Sequence, residues 1–245
     1  MTQPTLLIDA DLLLYRSAAA CEHSIQWDDE CWVLHGNLEE AKDIFRQSLD
    51  GITNALGTGE HVLCFSDREN FRKLVSPTYK SKRKDTRKPL VFQPLMQWAQ
   101  KNYGAVIMPT LEADDTIGIL ATTPSNTQCI VVSEDKDLQT IPCTLYRQGE
   151  LKTISPEEAE YYWMFQTLTG DATDGYSGCP GIGPKTAEKL LATKPYWNNV
   201  VNAYRRAGLT EEDAVMNARL ARILQHGEYN ETTKEVKLWN PSKIT

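Results

Sequence analysis

Cysteine and histidine are sparse in this chain, and neither is arranged for chemistry. The six cysteines (Cys21, Cys31, Cys64, Cys129, Cys143, Cys179) show no CxxC spacing, and the four histidines do not cluster. That argues against a zinc site or a disulfide scaffold and for thiols packed as small hydrophobes in a reducing compartment. Long apolar runs are also missing. The longest fall far short of a bilayer's thickness and no signal peptide precedes the first strand-like run, so a cytoplasmic chain with no membrane partner is expected. No internal repeat or low-complexity tract interrupts the 245 residues, which at 41% hydrophobic suffice for one core with an appendage or two small cores.

Positive charge is in deficit, with 26 Lys and Arg against 33 Asp and Glu and a net charge of -7, ordinarily an argument against nucleic acid as a partner. The average conceals an asymmetry. Residues 68 to 88 hold nine cations (Arg68, Arg72, Lys73, Lys80, Lys82, Arg83, Lys84, Arg87, Lys88) against Glu69 and Asp85, a local +7 that leaves -14 on the remainder. Sign asymmetry of this kind points to a polyanion.

What the chain has in quantity is carboxylate placed after apolar runs. TLLIDA, HVLCFS, AVIM (105 to 108) and QCIVVS read as strands, and 38 to 57, 92 to 102 and ADDTIGILAT read as helices. Their alternation predicts an α/β fold with a mostly parallel sheet flanked by helices. Asp9 and Asp11, Asp67, then Glu112, Asp114 and Asp115, then Asp135 and Asp137 each follow a strand, and Asp171 and Asp174 follow a later helix. Each cluster alone would also suit a helix cap or a solvated loop. Strands of a parallel sheet share one crevice at their carboxyl ends, however, so the five clusters should converge there. Two carboxylates about 5 Å apart at an effective dielectric of about 20 repel by ~3 kcal/mol, which protonation or bound cations must relieve. Hard oxygen donors suit Mg²⁺ or Mn²⁺, and a pocket this rich in them suits two ions.

From about 155 the register changes. Ser155, Pro156 and Glu158 form a capping box opening a helix, and GCPGIGPKTAEKLL follows with Gly181 and Gly183 flanking Ile182 before a second helix over Lys185 to Leu191. Backbone free of Cβ atoms at a helix start can approach a phosphate, with Lys185 adding charge; a tight packing turn is the alternative. In the basic segment Tyr79 stands beside Lys80 and Arg83, where an aromatic could stack on a base and cations could neutralise phosphate in the transition state. Beyond 196 only a helix-like segment near 211 to 226 is legible.

IDAD, FSDRENFR, TYKSKR, LEADD, SEDKDL and TGDATDGYSGCPGIGPKTA, in this order, resemble the 5′-nuclease family of flap endonucleases and 5′-to-3′ exonucleases, particularly its small bacteriophage members, over about residues 5 to 195. The resemblance implies a PIN-like nuclease core over 1–155 with a basic arch at 68–92, a helix-hairpin-helix element at 156–195, and a C-terminal extension at 196–245 packing on the core. It also implies that Asp9, Asp67, Glu112 and Asp114 hold one metal with Asp115 in support, that Asp135, Asp137 and Asp174 serve a second with Asp171 nearby, and that Lys80 and Arg83 contact the scissile phosphate. Tyr79 would stack on a base, and Arg72, Lys73, Lys82, Gly181, Gly183, Lys185 and Thr186 would lie along the DNA, with K⁺ at the hairpin. Asp11 stands where several relatives are not acidic and takes no metal role. The activity implied is 5′-to-3′ hydrolysis of duplex DNA at an end, nick or flap, extending to RNA–DNA hybrids, by a monomer in a host cytoplasm. A non-catalytic binder of branched DNA and a PIN-like ribonuclease are the alternatives at this point.

Overall fold

The computed structural model describes residues 3–82, 87–126 and 128–241, so Arg83 lies outside the described residues. Strand β1 (Thr5–Asp9) is central, with β4 (His61–Cys64) and β6 (Cys129–Val132) parallel on either side, β5 (Ala105–Val106) beyond β4, and β7 (Cys143–Arg147) parallel to β6. An antiparallel edge strand, β8 (Glu150–Ile154), completes the order β5-β4-β1-β6-β7-β8. The sheet is mostly parallel, as its alternation with helices predicts.

Helices cover both faces because the strands are apolar on both. Beneath one face, α1 (Ala10–Ala20), α2 (Leu38–Leu56) and, after the short α3 (Arg72–Val75), α4 (Phe92–Asn102) bury Leu14, Ala18, Phe45, Leu49 and Leu95 against Leu6 and Ile8. Each such leucine or phenylalanine contributes about 1.5–3 kcal/mol by leaving water. α2 is fixed at both ends, by Asn37 accepting from the Glu39 and Glu40 amides and by Gly57 at φ +67. On the other face, α5 (Ala113–Ala121) packs Ile117 on Leu7, Val131 and Leu145.

Four helices, α6 (Pro156–Thr169), α7 (Pro184–Leu190), α8 (Tyr196–Arg206) and α9 (Glu211–Ala221), build a second apolar cluster around Trp163, Leu168, Val200 and Tyr204. The Ser155–Glu158 capping box forms as read, with the Glu158 amide donating to Ser155 Oγ at 3.2 Å and the Ser155 amide to Glu158 Oε2 at 2.9 Å. Helix α8 escaped the sequence reading although Tyr196, Val200, Ala203 and Tyr204 all point inward at helical spacing. Two antiparallel hairpins also escaped it: β7–β8, and β2 (Glu22–Gln26) with β3 (Trp32–Gly36). The β7–β8 turn is Gln148–Gly149, both at positive φ, a two-residue turn that only the glycine advertises.

Candidate active site

The loops after β1, β4, β5 and β6 do bring their carboxylates to one edge of the sheet. Asp9 ends β1, and Ser133 after β6 links it to Asp135: its Oγ donates to Asp9 Oδ2 at 2.9 Å and accepts the Asp135 amide at 3.0 Å. Asp67 is oriented by two backbone amides, Arg68 on Oδ1 and Thr110 on Oδ2, each at 2.7 Å. Glu112 and Asp114 open α5, and with Asp115 they place one oxygen each within 4.8 Å of one another. Asp135 caps a 3₁₀ helix (Lys136–Thr140) by accepting the Asp137 amide, and Asp137 Oδ1 accepts from Gln166 Nε2 of α6 at 2.5 Å. Glu112 and Asp135 show that a helix cap and a place in the crevice are compatible, since a residue that ends a strand loop and starts a helix sits on the crevice rim.

Crowding shows in the titration of these groups. Burial, then the charge of Asp11, pushes Asp9 up to about 6; burial, then Asp135, does the same to Asp137. Asp114 is driven well above the carboxylate range by burial, with Asp115 and Glu112 adding. Glu112 goes the other way: burial would raise it, but Lys80 and then Arg72 outweigh that and hold it at about 2.

The basic segment returns to this crevice through its root. Lys80 Nζ lies 2.5 Å from Glu112 Oε1 and 3.7 Å from Asp174 Oδ2. Its backbone amide donates to the Asp174 carbonyl at 2.8 Å, and its φ is +50, a strained value for a side-chain-bearing residue. Gly175 permits this docking, because a Cβ there would stand 2.8 Å from the Thr78 carbonyl. Ser66, Asp67, Arg68, Asn70, Lys73, Lys80 and Glu112 line a cavity of about 280 Å³ beside it. A larger groove of about 980 Å³, lined by Leu74, Met216 and Leu238 among others, contains none of the expected carboxylates.

Two expectations, those for Tyr79 and Arg72, need correction, and the bonds of Asp115 and Asp171 show what keeps each of them behind the other acids. Tyr79 is 3% exposed and offers no ring face to a base; its hydroxyl is 2.9 Å from Glu112 Oε2 and 3.2 Å from Asp174 Oδ2, tying acids from two loops together. Arg72 is 1% exposed and pairs with Asp115 rather than DNA, at 2.6 and 2.7 Å. Asp115, fully buried, accepts those two bonds plus the amides of Glu112 and Leu224. A carboxylate offers about four lone-pair sites, so Asp115 has none left for a metal. Asp171 accepts three bonds, Lys136 Nζ on Oδ2 at 2.7 Å and the Thr173 and Asp174 amides on Oδ1, and so shapes the loop that carries Asp174. Ser133, Gln166 and Lys136 were missed; of these only Ser133 and Lys136 had a signal, their place within the SEDKD run.

Lys73, Lys82, Gly181, Gly183, Lys185 and Thr186 are all exposed. Only Gly181, at φ +76, needs glycine for its backbone; Gly183 has φ -95, and a Cβ at either would meet nothing within 4 Å.

Residues 4–163 match the family model described as 5′-3′ exonuclease, N-terminal resolvase-like domain. An exodeoxyribonuclease of Enterobacteria phage T3 is 31% identical over an alignment of 283 positions covering 96% of this chain and 92% of the phage protein. An exonuclease of Escherichia phage T7 is also 31% identical, over 96% and 93%. In fold, the phage T5 D15 protein co-crystallised with metal ions superimposes with a TM-score of 0.68 over 89% of this chain and 88% of that one, at 11% identity. An acidic crevice at the strand ends, a cationic segment rooted in it and these likenesses agree: the chain belongs to the 5′-3′ exonuclease family and is a phosphodiester-cleaving nuclease.

Proposed function

We propose that the chain is a divalent-metal-dependent 5′-to-3′ exonuclease acting on duplex DNA at 5′ ends, nicks and flaps. The observation that carries this is the convergence of Lys80 on Glu112 and Asp174, because it puts a cation from the basic segment at the carboxylates that would hold metal. The donor set fits Mg²⁺ or Mn²⁺: it is all oxygen, and burial with like charges already raises Asp9, Asp114 and Asp137 in a way that bound cations would relieve. Asp9, Asp67, Glu112 and Asp114 would hold one ion, and Asp135, Asp137 and Asp174 a second. When bound, the ions supply an activated water and neutralise charge on the phosphate, leaving a 5′-phosphate.

The chain's own residues do the rest. Tyr79 and the two Asp67 amide contacts hold Glu112, Asp174 and Asp67 in place, which keeps the site arranged before substrate arrives. Lys80 is aimed where a phosphate bridging the two acid groups would lie, and Arg83 would assist it. Exposed Lys73 and Lys82 would hold the strand that leads there. Along the duplex, open backbone at Gly181 and Gly183 with exposed Lys185 and Thr186 supports a helix-hairpin-helix phosphate contact, since among the described residues no atom lies within 4 Å of where a Cβ at Gly183 would stand. K⁺ at that hairpin, RNA–DNA hybrid as a further substrate, a monomeric state and a host-cell cytoplasmic site of action complete the proposal. Among the described residues no helix is long and apolar enough to cross a membrane.

The test is cleavage of 5′- and 3′-labelled duplex, nicked and flapped DNA in Mg²⁺, read as product lengths. Mononucleotides and short 5′ products from duplex ends support the exonuclease reading. Cleavage confined to flap junctions would replace it with an endonuclease, and binding without cleavage would leave a branched-DNA binder.

A further inference from the structure

The stretch after residue 196 reaches back to the acidic crevice, and Arg72 is where it does so. All five donors of this buried guanidinium are engaged. Nη1 and Nη2 grip Asp115 at 2.6 and 2.7 Å, and Nη1 also touches Glu112 Oε2 at 3.3 Å. Nε donates to the Leu220 carbonyl at 3.1 Å and Nη2 to the Arg222 carbonyl at 2.5 Å. On the other side of the pair, the Leu224 amide donates to Asp115 Oδ1 at 3.1 Å. Three of the bonds that complete the pair thus come from residues 220–224.

A second observation, independent of charge, places the same segment on α5. Gly118 faces it so closely that a Cβ would stand 2.3 Å from the Leu224 carbonyl and 2.7 Å from Ile223 Cγ2. The segment is itself anchored from behind: Arg222 lies 4.4 Å over the Trp163 ring and pairs with Glu228, while Trp239 meets Trp163 edge-on at 4.9 Å.

We propose that Arg72 is a positioning residue that couples segment 220–224 to the metal-holding acids. The C-terminal carbonyls fix Arg72, Arg72 fixes Asp115, and Asp115 fixes the first turn of α5, from which Glu112 and Asp114 project. A buried ion pair adds little net stability over apolar side chains of the same volume. What it does add is geometry, because partners behind a ligating group set that group's orientation and affinity. The C-terminal extension is therefore part of the metal site although it supplies no ligand.

The proposal rests on the metal reading above, and its test separates the two. Mn²⁺ binding to DNA-free protein is measured calorimetrically for wild type, Arg72→Lys and Gly118→Ala, with a thermal melt of each and DNA affinity in EDTA. Lysine keeps the charge but cannot reproduce five planar donors; alanine at 118 pushes the segment off α5 without touching a charge. Coupling predicts folded variants whose Mn²⁺ dissociation constant rises about ten- to hundredfold, with DNA affinity in EDTA within about twofold of wild type. A lowered melting temperature with wild-type Mn²⁺ affinity overturns it, since that is what a merely structural pair would give. Wild type supplies a check that needs no variant to fold: by reciprocity Mg²⁺ must slow amide exchange across residues 218–226, and no slowing overturns the coupling. Wild type that binds no Mn²⁺ at all removes the metal reading, and this proposal with it.

Discussion

Lys80 sits at φ +50, a left-handed geometry that costs a side-chain-bearing residue about 1 kcal/mol or more, and the surrounding bonds hold it there. Its ammonium faces Glu112 and Asp174, where charge on a transferring phosphate would build up. Lys80→Ala should therefore lower single-turnover cleavage by two orders of magnitude or more while DNA affinity falls only severalfold. Lys73→Ala and Lys82→Ala should show the opposite balance, and equal losses in binding for all three with an intact chemical step would reduce the segment to a charged tether. Asp67→Asn and Asp114→Asn each remove an anionic oxygen at nearly constant shape. Cleavage in Mg²⁺ should drop by several orders of magnitude with the melting temperature in EDTA little changed; near-normal turnover would exclude the first metal site. At this scale the sequence picked out acids that the fold gathers at one edge of the sheet but misjudged Arg72 and Tyr79, because a run of basic and aromatic residues does not say which of them turn inward.

Among the elements, α6 is the one whose ends were most fully legible. Ser155→Ala removes one side of its capping box and should cost about 1 kcal/mol in urea unfolding at unchanged m-value. The turn before α7 gives the clearest separation of anchoring from chemistry. Lys185→Ala should weaken binding of duplex-containing substrates and flatten the salt dependence by about one phosphate equivalent, with cleavage of short single strands unaffected. Because Gly183 lies at φ -95 with open space around it, Gly183→Val should fold normally, and any loss of duplex affinity then reports blocked approach rather than backbone strain. Wild-type duplex binding in both variants would make GIGPKTA a packing turn. Hairpins β2–β3 and β7–β8 have short strands, and β2, β3 and β8 are largely exposed, which leaves little hydrophobic alternation to detect.

For the whole molecule, ions held by the crowded acids would couple metal binding to folding. Ions that bind only the folded state stabilise it by about 2.7 kcal/mol at a hundred times their dissociation constant. Mg²⁺ or Mn²⁺ should raise the melting temperature of wild type over an EDTA control and raise that of Asp114→Asn much less. An equal rise in both would mean that the ions bind elsewhere.

The sequence by itself determined the alternation of strands and helices, and with it that acids after successive strands meet at one edge; the topology of a parallel sheet leaves them no other place. It also determined the α6 cap and the two-glycine turn, because these depend on neighbours three or four residues apart. Only the tertiary structure decided which side each basic residue faces, that Asp115 is saturated by Arg72 together with the Glu112 and Leu224 amides, and that residues 220–224 close over α5. Those outcomes depend on contacts between positions up to 150 apart, such as Arg72 with the Arg222 carbonyl, and no local pattern of charge or hydrophobicity encodes them.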